Sequence, residues 1–313
     1  MRALNVPAPG ERPQVSELPA PVVIDGHVLI KVKAAGLNAL DRGVAAGLLA
    51  GLMPHEYPLV IGRDAAGVVE EVGAGVDDIA VGDEVFGHLT VVPPIHAGTV
   101  AEYAVLPADS VAAKPVALDF VAAAAIPIAG AAAVGAVDAI DPGPGEVVLV
   151  NGASGGVGSY AVQLLADRGA TVIATGLPGD AARLIGLGAT EVVDHTAGSV
   201  VDRVRAAYPD GVDALLEVSV YPSDPSILAA VRKGGKVAST TNSADEDTLA
   251  AAGLTGTNII AQPVRAVIGA IAERAAAGLL KIDVETVLPL DEATDGLEMF
   301  TSGHVAGKIV IEV

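Results

Sequence analysis

Cysteine and tryptophan are absent, and aromatic residues make up only 3% of the 313 positions. Without thiolates the chain has no disulfides, no cysteine nucleophile and no zinc site built on sulfur. Basic residues are scarce too: 18 Lys and Arg against 38 Asp and Glu leave a formal charge of −20. Such a surface repels phosphate backbones and anionic lipid, so neither nucleic acid nor a membrane is expected as a partner. With so few rings, the 51% of hydrophobic residues must be chiefly Ala, Val, Leu and Ile. Short runs of these are how buried parallel strands read, which favours an α/β protein and excludes a disordered chain. The start, Met1-Arg2-Ala3-Leu4-Asn5-Val6-Pro7, lacks the apolar run of a secretory signal, so a cytoplasmic location is expected. The long apolar stretch from Phe120 to Val137 is mostly Ala and Gly between Asp119 and Asp138. It reads as a packed core helix rather than a membrane span.

At roughly 100–200 residues per domain, the length suits two cores. The first hundred residues read as β-rich, with Val28–Val32 and Gly67–Val72 among runs punctuated by Gly and Pro. From Asp119 the texture becomes strand, Gly-rich turn and helix in repetition, the pattern of βαβ units. Strands are expected at Val147–Val150, Thr171–Ala174, Glu191–Val193, Ala214–Val218 and Lys236–Ser239. A helix near Ala266–Ala277, a strand at Val284–Leu288, a short helix and a last strand at Lys308–Val313 resemble the first region again. Residues 119–265 are therefore expected to be a nucleotide-type domain inserted between two parts, 1–118 and 266–313, of a β-rich one.

The stretch Val147-Val148-Leu149-Val150-Asn151-Gly152-Ala153-Ser154-Gly155-Gly156-Val157-Gly158 reads as buried strand, Gly-rich turn and helix start. A dinucleotide pyrophosphate needs close backbone N–H groups and the positive end of a helix, which Gly155 and Gly156 allow, while Gly158 lets the helix pack on the strand. Ala153 replaces the first glycine of the usual pattern. An NAD-type site places an acid at the end of the second strand; here Thr175 holds that slot, followed by Gly176. The missing acid leaves room for NADPH, with Arg183 and His195 as candidate groups for its 2′-phosphate and Asp180 as a counter-argument. Histidines offer no metal cluster: His88 and His96 share a loop, His55-Glu56 has no second His at metalloprotease spacing, and the histidines are expected at the surface or in loops. The residues four after Tyr57, Tyr103, Tyr160, Tyr208 and Tyr221 are Ile61, Pro107, Leu164, Val212 and Pro225, which excludes the Tyr-x-x-x-Lys chemistry of short-chain dehydrogenases.

Several motifs in order, Ala34-Ala35-Gly36-Leu37-Asn38-Ala39-Leu40-Asp41, Pro58–Val69, Val81–Gly87, Ala101-Glu102-Tyr103, Ala123–Pro127, Ala153–Gly158 and Gly307-Lys308-Ile309-Val310, carry a resemblance. The chain resembles the zinc-independent quinone oxidoreductase branch of the medium-chain dehydrogenase/reductase superfamily, nearly end to end. The resemblance implies a GroES-like, partly open β-barrel domain with an inserted Rossmann domain carrying a doubly wound parallel sheet. It also implies hydride transfer from NADPH to a small quinone or activated enone. Zinc-dependent relatives use a Cys and a His where this chain has Asn38 and Arg63, so no metal is expected. Asn38 would donate its NH₂ to the acceptor oxygen as the catalytic residue, with Asp41 and Gly43 lining the pocket. Gly43 stands where quinone reductases often carry Tyr, and Ala132 where many carry Thr. Ser154–Gly158, Gly176, His195 and Thr241 would meet the cofactor. A homodimer is implied through an edge strand at Asn258–Gln262. Two other readings are a crystallin-like NADPH-binding protein with little turnover and an enoyl-thioester reductase; no basic cluster supports the latter.

Overall fold

The computed structural model describes residues 1–219, 224–301 and 305–313. Two compact units divide it: Met1–Ile128 with Pro263–Val313, and Ala129–Gln262. Tyr221, which entered the sequence arguments, lies outside the described residues.

The first unit opens with β1 (Arg2–Val6), β2 (Gln14–Glu17), β3 (His27–Leu37), α1 (Ala39–Ala45) and β4 (Leu59–Val60). It continues through β5 (Asp64–Val72), β6 (Glu84–His88), β7 (Tyr103–Pro107), β8 (Val111–Ala113) and α2 (Phe120–Ala124). Helix α3 (Pro127–Ile140) leads into the second unit: β9 (Val147–Asn151), α4 (Gly156–Asp167), β10 (Thr171–Gly176), α5 (Ala181–Gly186), β11 (Glu191–Asp194), α6 (Val200–Ala207), β12 (Val212–Glu217), β13 (Val231–Ser239), α7 (Glu246–Ala251) and β14 (Thr255–Asn258). Then α8 (Arg265–Ala276), β15 (Val284–Pro289), α9 (Ala293–Met299) and β16 (Lys308–Glu312) return to the first unit.

In the first unit, β2-β1-β4 form one sheet and β15-β16-β3-β5-β6-β8 another, with β7 also pairing β3. Pairing in the larger sheet is antiparallel except between β15 and β16. Alternation along β3 sends Val28, Ile30 and Val32 into a core with Leu4, Leu59, Ile61 and Ile309, while Lys31 and Lys33 face out, the period-two pattern of a half-buried strand. The second unit is a six-stranded parallel sheet ordered β11-β10-β9-β12-β13-β14, the Rossmann arrangement in which chain order reverses beside the first strand. Val148, Leu149 and Val150 of its central strand are fully buried; truncating one such Leu to Ala costs about 2–5 kcal/mol.

The boundaries depart from the expected 118/119 and 265/266. Asp119 caps α2 through the Ala122 N–H at 2.7 Å, and Ala123 to Ile126 are wholly buried. The Ile128 N–H also bonds the buried Asp64 carboxylate at 3.1 Å, so this segment completes the first unit. The expected single helix over Phe120–Val137 is two, α2 and α3, broken ahead of Pro127. Proline suits the first turn of a helix and no position deeper. Among the described residues no helix is long and apolar enough to cross a membrane.

The expected edge strand at Asn258–Gln262 is also displaced. Strand β14 runs Thr255–Asn258 and shares only Asn258 with it. The ladder ends where Ile259 N donates to Ser239 O at 2.7 Å, since β13 itself stops at Ser239 and offers nothing further to pair with.

Candidate functional site

In the second unit, β9 runs directly into Gly152, whose φ of +88° is open only to glycine at low cost. A Cβ there would stand 2.6 Å from Ser219 N. Helix α4 starts at Gly156 with Gly155 as its N-cap and no side-chain cap. Its first N–H groups and the positive end of its dipole are thus uncovered by any capping side chain. Gly158 brings the helix onto the strand: a Cβ would lie 2.3 Å from Gly152 O. Ala153 and Ser154 are buried beside it, Val157 half-buried.

At the end of β10, Thr175 is only 3% exposed. Its hydroxyl accepts a hydrogen bond from Gly152 N at 2.9 Å and donates to Asn151 Oδ1 at 3.0 Å, so it points beneath the turn. Gly176 follows, also buried. Arg183 on α5 donates from Nη2 to Asp180 Oδ1 and to Ser154 O, both at 3.1 Å. Asp180 Oδ2 accepts from Ser154 Oγ at 2.7 Å and Leu177 N at 3.1 Å. Burial alone would raise this carboxyl, but the Ser154 and Arg183 bonds outweigh it and hold it below the usual carboxylate range. The turn, Thr175, Asp180 and Arg183 are therefore one bonded cluster, with Gly176 close beside Ser154 and Asp180. His195 is exposed in the turn after β11. Thr241 is exposed after β13, its hydroxyl shared with Ser239 and Ser243 at 3.2 and 2.8 Å. Both stand at strand ends on the same edge of the parallel sheet.

The first unit gathers a different group. Asn38 is the N-cap of α1 and 8% exposed. Lys308, at the start of β16, donates to Asn38 Oδ1 at 2.6 Å and Leu37 O at 2.9 Å. Asn38 Nδ2 donates to Asp64 Oδ2 at 3.0 Å and, more loosely, to Gly36 O at 3.4 Å. An ammonium only donates and a carboxylate only accepts, which fixes the orientation of the amide. The Asn38 NH₂ thus has buried acceptors in Asp64 and, more weakly, Gly36, where the resemblance would turn it toward the acceptor oxygen. Asp64, fully buried at the start of β5, also bonds His88 Nδ1 at 3.1 Å. The expectation of a surface or loop position for His88 is corrected accordingly: it ends β6, 7% exposed, because the Asp64–His88 register pair places it inside.

Asp41, completely buried, accepts from Asn38 N at 2.8 Å through Oδ2, while its Oδ1 has no hydrogen-bond partner. Burial pushes its carboxyl up to about 6, against the pull of Arg63 and with the push of Asp64. Arg63, 2% exposed, is anchored through Nη1 to Ala97 O at 2.9 Å, and its Nε and Nη2 have no partner. Burial lowers both Arg63 and Lys308, with Asp41 opposing it at the first and Asp64 and Asp41 at the second. A Cβ at Gly43 would meet no heavy atom within 4 Å. Among the described residues there is no group of three or more His, Cys, Asp or Glu arranged to hold a metal. Sequence reasoning missed Lys308, Asp64 and His88 as members of this cluster. The available signal was a charged residue opening each of two apolar strand runs, Asp64 before Ala65–Val69 and Lys308 before Ile309–Ile311.

A GroES-like unit carrying an inserted six-stranded parallel sheet with a glycine-rich turn defines the class of nicotinamide-type dehydrogenases. The comparisons agree. Residues 24–116 match the alcohol dehydrogenase GroES-like domain and residues 187–311 the zinc-binding dehydrogenase family. The chain is similar to the mouse mitochondrial NAD(P)H oxidoreductase RTN4IP1, 36% identical over 58% of this chain and 49% of that one, so it spans about half the length of such curated relatives. It is 28% identical to the chloroplastic NADPH-dependent alkenal/one oxidoreductase of Arabidopsis thaliana over 95% of this chain and 74% of that one. Its fold is similar to the quinone oxidoreductase from Coxiella burnetii, with TM-score 0.89, 27% identity and coverage of 100% and 98%. The chain belongs to the medium-chain dehydrogenase/reductase superfamily, in its quinone oxidoreductase branch.

Proposed function

We propose that this protein is an NADPH-dependent oxidoreductase that delivers hydride to a small quinone or an activated enone without a catalytic zinc. The observation that carries the reading is the uncapped start of α4 at the glycine-rich turn. Beside it, the slot usually held by an acid has Thr175, and a basic Arg183 is bonded to the turn at Ser154 O. Relatives whose names include NADPH, alkenal/one and quinone support the same chemistry. NADPH, when bound, would supply the hydride. The protein's part is to seat the pyrophosphate on the backbone N–H groups of Ser154–Gly158 and the ribose phosphate near Arg183, with Gly176, His195 and Thr241 completing the cofactor set.

Zinc does not suit this donor set. The Asn38 amide is engaged at its oxygen by Lys308 and at its nitrogen by Asp64, and Arg63 places a buried cation where a ligand would be needed. In this reading Asn38 and Asp41 shape the acceptor side of the first unit rather than donate to the acceptor, and Gly43 leaves it room. A cytoplasmic homodimer paired through the β14 edge completes the proposal; light scattering that gives the mass of one chain would contradict the dimer.

The test is loss of reduced-nicotinamide absorbance with NADPH and NADH in parallel, using a small quinone and a cyclic enone. NADPH-selective turnover of either acceptor is expected. Tight NADPH binding with no turnover of either would move the protein to the non-catalytic, crystallin-like reading.

A further inference from the structure

The turn that begins with Gly152 is held by a chain of side-chain hydrogen bonds crossing the ends of three neighbouring strands. Glu217, 1% exposed at the end of β12, accepts from Asn151 Nδ2 at 3.1 Å and 2.9 Å through its two oxygens, and from Ser219 N at 3.1 Å. Asn151, the last residue of β9, accepts through Oδ1 from the Thr175 hydroxyl at 3.0 Å. Thr175, near the end of β10, accepts from Gly152 N at 2.9 Å; its contact to Val150 O, at 3.4 Å, is longer. One buried carboxylate sets the polarity of the whole chain. Glu217 draws the amide's NH₂, which leaves the amide oxygen for Thr175. The single hydroxyl hydrogen is then spent on Asn151, and the free lone pairs of Thr175 face the Gly152 N–H.

We propose that Asn151 and Thr175, oriented by Glu217, are positioning residues that preset the glycine-rich turn for the pyrophosphate of the dinucleotide. Thr175 then acts through the turn and not on the ribose, although it occupies the slot where an acid would hold the ribose. The proposal rests on the dinucleotide reading above. It deepens that reading, because a residue acting on the pyrophosphate must affect NADPH and NADH alike, whereas one touching the 2′ position must separate them.

Full-length Thr175→Val, Thr175→Ser and Asn151→Leu are to be compared with wild type for NADPH and NADH Kd, kcat with a quinone, and melting temperature. Valine removes the hydroxyl at nearly constant volume and leaves the Gly152 N–H and the Asn151 oxygen unmatched. Both Kd values are expected to rise about tenfold by the same factor, with kcat at saturation within about twofold. Serine restores binding. Unchanged binding in the valine and leucine variants overturns the proposal, as does a change confined to NADPH. Should the valine variant not fold, Glu217→Gln keeps the shape while loosening the polarity and carries the same expectation of equal loss; unchanged binding there also overturns the proposal. If wild type binds neither dinucleotide, the dinucleotide reading fails and this inference with it; wild-type binding with indifferent variants sinks the inference alone.

Discussion

The two units handle buried polar groups in opposite ways. Around the turn in the second, Glu217, Asn151, Thr175 and Gly152 form a chain in which every donor and acceptor just described is matched. In the first, Asn38, Asp41, Arg63, Asp64, His88 and Lys308 are all buried, more so than Asn151, yet Asp41 Oδ1 and Arg63 Nε and Nη2 are unmatched. Among the described residues, every buried side-chain atom without a hydrogen-bond partner belongs to the first unit. A matched network costs little and fixes one backbone geometry, which suits a turn that must be ready before its ligand arrives. An unmatched cluster of charges is costly to keep, with each buried unpaired group penalised by about 1–3 kcal/mol. Stability in the first unit should therefore hang on a few charges.

The sharpest way to break that contrast is Lys308→Met. It removes the buried cation that bonds Asn38 Oδ1 and Leu37 O and offsets the charges of Asp64 and Asp41, and unfolding in urea should show a loss of roughly 3–5 kcal/mol; a loss under about 1 kcal/mol would mean that the cluster is not held by charge. Next comes Asp41→Asn. Because burial pushes the folded carboxyl up to about 6, above its ordinary 3.8, the folded state binds the proton more tightly. Its contribution is therefore full at low pH and lost as pH rises between those values. The cost above the upper one is roughly 3 kcal/mol. Asparagine mimics the protonated group, so the stability of the variant relative to wild type should grow across that interval and then level. A constant difference would contradict the assignment. On the second unit, Arg183→Ala should raise the NADPH Kd about tenfold while NADH changes by less than about twofold. The smallest effect is expected from exhaustive dialysis against a chelator, which should leave turnover unchanged; loss of activity restored by zinc would overturn the zinc-free reading.

Much of the second unit is legible in the sequence because its determinants are local. The runs at Val147 and Thr171 lie within parallel strands, that at Ala214 overruns its strand only by Val218, and the spacing of Gly152, Gly155, Gly156 and Gly158 falls on a strand end, a turn and a helix start. The candidate site in the first unit is less legible for the opposite reason. Lys308 reaches Asn38 across 270 positions and Ile128 reaches Asp64 across 64, so neither the direction of the Asn38 amide nor the burial of His88 follows from neighbouring residues. Thr175 illustrates an intermediate case. Its slot was identifiable from strand spacing, but the inward direction of its hydroxyl depends on Asn151 and Glu217, which adjoin it only once β9, β10 and β12 have paired. The edge beyond Asn258 failed because the length of a strand is set by its partner as well as by its own residues.

The pairing of β16 with β3, Ile309 opposite Leu37 and Glu312 opposite Ala34, bears on how the molecule is made. Residues 129–262 are contiguous and can collapse as soon as they leave the ribosome. The Ala34–Leu37 edge of β3, which β5 and β7 leave unpaired, waits for β16 to be synthesised, so the Lys308–Asn38 bond is among the last to form. Folding should thus proceed in two stages, with a slow step of high contact order following a fast local one.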